Sequence, residues 1–159
     1  MTKGYTIVAA ALGLAIAAGA ATGQDAQQKA LNDATKARQA QMQLYAFNLG
    51  LLGAMAKGDV AYDSAQASAA ATNLASLARL DQSRLWPEGS DEMGVDGSRA
   101  LPALWENLPD VMNKGGDLVT AATAMEAAAG TDLASLQAAM GAVGGACGAC
   151  HKAYRVPSN

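Results

Sequence analysis

Several residue types are scarce in this 159-residue sequence, and each scarcity narrows the kind of site that the chain can hold. Histidine occurs once, cysteine twice, and aromatic residues make up 4% of the chain. A structural zinc site needs four ligands, so a zinc site here would have to borrow carboxylates. The formal net charge of −3 argues against nucleic acid as a partner and leaves no polybasic patch for a membrane surface.

What the sequence has in quantity is alanine. Hydrophobic residues make up 51% of the chain, and much of that share is alanine, which is the best helix former. β-branched residues are few beyond residue 23. The composition therefore predicts an all-α protein.

The first 23 residues have the pattern of a secretory signal peptide. Lys3 makes a short basic start, residues 6–18 are apolar and residues 19–23 are small, which predicts cleavage just before Gln24. An uncleaved membrane anchor would want about 20 apolar residues, and this stretch is at the short edge of that length. We expect one mature domain, residues 24–159, with no membrane attachment after cleavage.

The only cysteines and the only histidine stand together near the C-terminus, as Cys147-Gly-Ala-Cys150-His151. The C-x-x-C-H pattern is typical of a c-type haem attachment site. On a helix these three positions share a face, so two thiols can bond to the edge of the macrocycle while the imidazole reaches its iron. Haem is normally attached to such a motif after export, so the motif and the leader together predict the bacterial periplasm.

Two other interpretations of the motif rank below haem. A thioredoxin-like redox C-x-x-C belongs near the start of a helix that follows a strand, whereas this one comes late in a long helical pattern. A plain structural disulfide between the two cysteines stays open as the second alternative.

Apolar residues that recur every three or four positions predict four helices. The predicted helices cover residues 25–56, 62–85, 110–129 and 133–154. Pro109 should produce a kink or a short turn before the third helix, and Thr131 or Asp132 should cap the fourth. Residues 87–100 form one long loop, and such loops are commonly functional; this one could lie over a haem edge.

Two residues stand out in the apolar stripe of the first helix. Arg38 occupies a position where an unpaired guanidinium would be costly. It therefore either extends its stem to solvent or meets a buried anion such as a haem propionate. Met42, one turn later, is either core filler or a side chain over the face of a cofactor.

Four helices with a haem on the last resemble the cytochromes c′, which are four-helix bundles of antiparallel up-down-up-down order. The resemblance covers the whole mature chain. It rests on four motifs: Lys36-Ala-Arg38-Gln39 with Met42, Trp86-Pro-Glu-Gly89, Ala100-Leu-Pro102-Ala-Leu-Trp105, and Cys147-Gly-Ala-Cys150-His151-Lys-Ala-Tyr154-Arg155. The C-x-x-C-H motif alone indicates only haem c, whereas the four together are specific.

The resemblance implies a role for each matching residue of the last helix. Cys147 and Cys150 correspond to the thioether cysteines of the family, and His151 corresponds to its axial iron ligand. Arg155 corresponds to the basic residue beside the proximal haem face, the face on the side of the histidine.

The resemblance also implies roles on the first helix and in the long loop. Arg38 and Gln39 match the pair that contacts the haem propionates. Met42 matches the bulky side chain on the distal face, opposite the histidine. Arg99 lies in the segment where the family's loop touches the haem.

The function implied is a five-coordinate, high-spin haem iron that binds small gases such as nitric oxide and carbon monoxide, carries single electrons, or both. The alternative is a low-spin electron carrier with Met42 as the sixth ligand. We expect no enzyme, because the distal stripe offers no second histidine or evident acid/base group. Redox proteins and a second copy, packed through the first two helices, are the partners that the resemblance implies.

Overall fold

The structure is a computed structural model that describes the backbone of residues 6–157 and the side chains of residues 23–157. Its helices are α1 (Thr6–Lys57), α2 (Ser64–Ala78), α3 (Ala103–Glu106), α4 (Leu108–Ala128) and α5 (Leu133–Tyr154). Each of the four long helices packs against two others, α1 and α4 both lying between α2 and α5. Across residues 6–157 the only β pairing is an isolated bridge between Ala100 and Arg155. The predicted all-α four-helix bundle is confirmed.

Helix α1 begins well before the predicted start at residue 25. It runs without interruption from Thr6 to Lys57, since the alanine and leucine residues of the predicted leader are strong helix formers and no proline interrupts them. The predicted leader covers residues 1–23. Its first five residues, and the side chains of residues 6–22, lie outside the described part of the chain. Cleavage before Gln24 stays a prediction.

Helix α2 starts close to its predicted beginning at residue 62 and ends earlier than the apolar periodicity predicts. Asp63 caps it by accepting a 2.9 Å hydrogen bond from the backbone N–H of Gln66. The helix ends at Ala78 rather than near Leu85. Asp81 Oδ1 accepts a 2.9 Å bond from the backbone N–H of Ser83, and such a local side-chain bond competes with the helical one.

The remaining boundaries follow the sequence closely. The one-turn helix α3 precedes α4, and Pro109 lies in the first turn of α4, which confirms the predicted short turn. Asp132 caps α5, accepting a 2.7 Å bond from the backbone N–H of Ser135. Helix α5 then ends at Tyr154.

Alanine fills much of the core between α2 and its neighbours. Ala67, Ala71, Ala122 and Ala129 are fully buried, and small side chains allow helices to approach closely. The larger fully buried side chains include Leu52, Leu74, Met125, Leu136 and Val143. An alanine-rich core buries little apolar area per residue, so an apolar group bound against the bundle would add to the area that it buries.

Two contacts fix how α1 and α5 lie against each other. Gln137 Nε2 donates a 2.7 Å hydrogen bond to the carbonyl of Ala56. Gly53 lies beside the Met140 side chain, whose Cε is 3.7 Å from where a β-carbon would be. The two helices are antiparallel, and both rise by the same distance per residue. If the register of these two contacts is extended along both helices, position 42 of α1 lies level with position 151 of α5.

Candidate haem-binding site

The three motif residues lie on α5, the last helix of the bundle. Cys147, Cys150 and His151 are all half-buried, and both cysteines are free thiols rather than a disulfide. Among the described residues, α5 alone is long and apolar enough by composition to cross a membrane, yet only 11% of its most apolar window is buried. An apolar helix of which so small a share is buried is suited to bind a large flat cofactor through the cysteines of the same helix.

The electrostatics around His151 favour its neutral form. Burial lowers the pKa of the imidazole, and the charges of Arg155 and Arg99 lower it further. A neutral imidazole keeps the lone pair that a metal ligand needs. Burial also raises the pKa of the Cys147 and Cys150 thiols. The donor set therefore suits an iron bound by histidine and a macrocycle attached through sulfur.

Arg38 is buried, with 5% of its surface exposed, so its stem does not carry the charge to solvent. Its guanidinium donates to the carbonyl of Leu85 at 2.8 Å, and to Oγ and the carbonyl of Ser90 at 2.6 Å each. It also lies over the Trp86 ring, 4.7 Å from the ring centroid. No carboxylate is within ion-pair distance of it among residues 23–157. A buried cation without a counter-charge fits an anionic group nearby, and the predicted propionate contact stays a prediction.

Gln39 supports the same loop from an exposed position. Its Nε2 donates a 2.9 Å hydrogen bond to the carbonyl of Gly97, whose φ of +77° belongs to the left-handed region that favours glycine. Helix α1 therefore holds the segment between α2 and α3 through Gln39 as well as Arg38. Contact of Gln39 with a propionate also stays a prediction.

Arg99 and Arg155 meet where the loop crosses the end of α5. Arg99 Nη2 donates to the carbonyls of Val156 and Pro157 at 2.8 and 3.0 Å. The backbone N–H of Leu101 donates to the carbonyl of Tyr154 at 2.9 Å, beside the bridge between Ala100 and Arg155. Both arginines lower the pKa of His151. The structure thus brings Arg155, predicted beside the proximal face, and Arg99, predicted in the loop that touches the haem, near the same histidine.

Met42 lies on α1, which packs against α5. Continued along both helices, the pairing of α1 with α5 brings positions 42 and 151 to the same level, and Met42 is 36% exposed. That Met42 lies on the distal face of a haem stays a prediction, as does its bonding to the iron.

The hydroxyl groups of two buried tyrosines, Tyr154 and Tyr45, differ in whether they have a hydrogen-bond partner. Tyr154 Oη donates a 2.6 Å hydrogen bond to Asp110 Oδ2, and Lys114 Nζ lies 3.3 Å from the same oxygen. This ties α5 to α4 one turn beyond His151. Tyr45 is buried, but its hydroxyl has no partner. Helical spacing identifies a core tyrosine and says nothing about where its hydroxyl bonds.

Comparison with known proteins finds sequence similarity to one family along most of the chain. The family model described as cytochrome c′ matches residues 33–155. A cytochrome c-554 from Cereibacter sphaeroides is 45% identical over 94% of this chain and 96% of its own. A cytochrome c′ from the same organism is 38% identical over 76% of this chain and 81% of its own.

Solved structures are similar in fold as well as in sequence. A cytochrome c′ from Rhodobacter sphaeroides superposes with a TM-score of 0.78 at 38% identity, covering 80% of this chain and 98% of its own. Two variants of a cytochrome c′ from Alcaligenes xylosoxidans, one with bound nitric oxide and one with bound carbon monoxide, have TM-scores of 0.69 and 0.70 at 32% and 33% identity. Each covers 80% of this chain and 97% of its own. A further cytochrome c′, at 28% identity and a TM-score of 0.74, is described as having ligand-controlled dimer dissociation and covers the same shares.

Proposed function

We propose that this chain, which belongs to the cytochrome c′ family, is a periplasmic protein whose five-coordinate haem iron binds small neutral gases. The chain is a haem c protein, as its family is. The observation that carries the proposal is that Cys147, Cys150 and His151 are all half-buried on the apolar helix α5, whose pairing with α1 brings position 42 level with the histidine.

Each motif residue has a distinct part in holding the cofactor. Cys147 and Cys150 would hold the macrocycle through thioether bonds, so that the haem stays attached without depending on iron ligation. His151, whose neutral form is favoured by burial and by the two nearby arginines, would bind the iron. The haem would supply an iron that can also take a small ligand.

The character of the distal side supports gases over water or anions. Met42 contributes an apolar thioether there, and the described part of the chain has no second histidine to donate a proton or bind the iron. A distal pocket's polarity and steric access decide which ligands enter. The nitric oxide and carbon monoxide complexes of two variants of one similar protein agree with this assignment.

A second candidate is a low-spin electron carrier in which Met42 is the sixth ligand. The position of Met42 level with His151 favours it. So does the name of the relatives at 45% and 46% identity, which are cytochromes c-554 rather than cytochromes c′. Redox proteins would then be the principal partners.

A homodimer through α1 and α2 is part of the proposal. Phe47, the only phenylalanine, is 77% exposed on α1, and Leu44 beside it is 51% exposed. Helix α2 carries no charged side chain from Ser64 to Ala78. The uncharged outer face of α2, beside the exposed apolar side chains of α1, is suited to pack against a second copy.

The decisive experiment is to record absorption and electron paramagnetic resonance spectra of the haem-loaded protein in both oxidation states, with and without carbon monoxide. A high-spin ferric signal and ready binding of carbon monoxide by the ferrous form would support the gas-binding function. A low-spin spectrum that carbon monoxide does not change would overturn it. In that case Met42→Leu should produce a high-spin, gas-binding protein, which would establish the second candidate.

A further inference from the structure

The Tyr45 hydroxyl is buried and unsatisfied. Tyr45 is 7% exposed, and among the side chains of residues 23–157 only Tyr45 Oη and Gln41 Oε1 are buried polar atoms without a hydrogen-bond partner. Buried polar groups are nearly always paired, so an orphan in a folded protein requires an explanation. The other end of the Gln41 amide is anchored, since its Nε2 donates to the carbonyl of Leu77 at 3.1 Å.

The other described buried or half-buried tyrosines satisfy their hydroxyls within the bundle. Tyr62 Oη donates to the carbonyl of Ala129 at 2.9 Å, and Tyr154 Oη donates to Asp110. The unpaired hydroxyl of Tyr45 is therefore a property of its location rather than of tyrosine in this fold.

That location is beside the haem-bearing cysteines. Tyr45 follows Met42 by three residues, so the two side chains are neighbours along α1. The pairing of α1 with α5 places Tyr45 level with Gly148, between the two cysteines. Cys147 packs against the core cluster that contains Tyr45. At Gly148 a β-carbon would meet nothing within 4 Å, so no described side chain closes the space beside it.

Tyr45 keeps its proton under all ordinary conditions. The pKa of Tyr45 is raised to about 12, chiefly by burial and further by the charge of an ionised Cys147. Once Cys147 is a thioether the second influence disappears, while the burial remains. Tyr45 therefore presents a neutral O–H donor that brings no negative charge to the distal side.

We propose that the Tyr45 hydroxyl is the hydrogen-bond donor to a diatomic ligand on the distal face of the haem. The inference rests on the proposed gas-binding function and adds a specificity residue to it. Nitric oxide and carbon monoxide carry a terminal oxygen that accepts a hydrogen bond when bound, and a donor held in a dry site is strong. The ligand thus supplies the partner that the protein does not.

Infrared spectroscopy of the ferrous carbon monoxide complex tests this directly. A donor near the ligand strengthens back-donation from iron and lowers the C–O stretching frequency. Tyr45→Phe should raise that frequency and should speed carbon monoxide dissociation by about 5–10-fold, the equivalent of one neutral hydrogen bond. Tyr62→Phe, which removes a hydroxyl whose partner is Ala129, is the matched control and should change neither quantity.

The possible outcomes distinguish a failure of the Tyr45 hydrogen bond from a failure of the proposed gas-binding function. If the wild-type protein forms no carbon monoxide complex, the gas-binding function is wrong and this inference falls with it. If the complex forms but Tyr45→Phe and wild type share one C–O frequency, the function stands and the inference is overturned; a water bridging Tyr45 and Gln41 would then account for the orphan atoms. Should Tyr45→Phe fail to fold, the C–O frequency of the wild type in D₂O replaces it, because only a hydrogen-bonded ligand shifts on exchange.

Discussion

Arg38 Nη2 donates a 2.6 Å hydrogen bond to the backbone carbonyl of Ser90, 52 residues further along the chain. The same guanidinium bonds Ser90 Oγ and the carbonyl of Leu85, and Ser90 is completely buried. A buried loop backbone has no water to bond with. The cation of α1 therefore takes the place of solvent for the segment between α2 and α3.

Arg38→Ala should lower the free energy of unfolding by about 2–4 kcal/mol, because hydrogen bonds to a charged group contribute about 1.5–3 kcal/mol each and buried carbonyls would lose their donor. Urea unfolding followed by circular dichroism measures the loss. Limited proteolysis should also show faster cleavage within residues 79–102. Lys36→Ala, an exposed change on the same helix, should stay within about 0.5 kcal/mol of wild type. Equal losses in the two variants would contradict the role given to Arg38.

Removal of both motif cysteines should abolish covalent haem attachment while each single change leaves one thioether bond. Cys147→Ser and Cys150→Ser should each retain haem on a denaturing gel, and the double variant should retain none. His151→Ala should keep the haem covalently bound but lose the ferric spectrum of wild type, because the iron ligand is gone. Haem retained by the double variant would show that sulfur does not hold the macrocycle.

The contact between Tyr154 and Asp110 should make stability depend on pH at both ends of the scale. The hydrogen bond from Tyr154 lowers the pKa of Asp110, and the same bond is the first cause that raises the pKa of Tyr154 to about 12. The Asp110 contribution is present above the unfolded carboxyl value of about 3.9 and is lost as pH falls through the lowered value. The Tyr154 contribution is present below about 10 and is lost as pH rises toward 12.

Urea unfolding of wild type and Tyr154→Phe at acidic, neutral and alkaline pH checks this dependence. The difference in stability between the two proteins should be largest from about pH 5 to pH 10 and should shrink outside that window. Asp117→Asn, an exposed change on α4, serves as the control and should give a difference with no such plateau. A difference between wild type and Tyr154→Phe that is constant from acid to alkali would refute the coupling.

Phe47→Lys should convert a dimer to a folded monomer. The side chain is 77% exposed within one chain, so its replacement disturbs no packing inside the bundle, whereas a charge at the centre of an apolar interface is poorly tolerated. Sedimentation velocity measures the change in mass. Met93→Lys, equally exposed at 80% but on the loop, should leave the dimer intact, and a wild-type monomer would remove the interface altogether.

Helical periodicity and the predicted cap Asp132 were enough to predict the bundle, because apolar stripes on alanine-rich helices favour helices packed against one another. They failed at the end of α2, where Asp81 bonds to the backbone of Ser83 and ends a pattern that hydrophobic spacing alone would extend. The motif identified the three haem residues without help from the fold.

The partners of buried polar side chains could not be read in the same way. Arg38 was expected either at solvent or at an anion, yet its guanidinium serves the loop. Tyr45 belongs to the apolar core, and only the packed structure shows that its hydroxyl has no hydrogen-bond partner. Such pairings depend on which distant segment a side chain meets, and helical spacing carries no record of that.

The ties that hold the loop also bear on the order in which the protein folds. Arg38 reaches Ser90, and Arg99 reaches Val156, across more than 50 residues of chain. Contacts between such remote segments can form only after a large loss of chain entropy, which helix pairing must first offset. We expect the long loop to dock last, so that the face of α5 carrying the cysteines remains open to other molecules during most of the folding process.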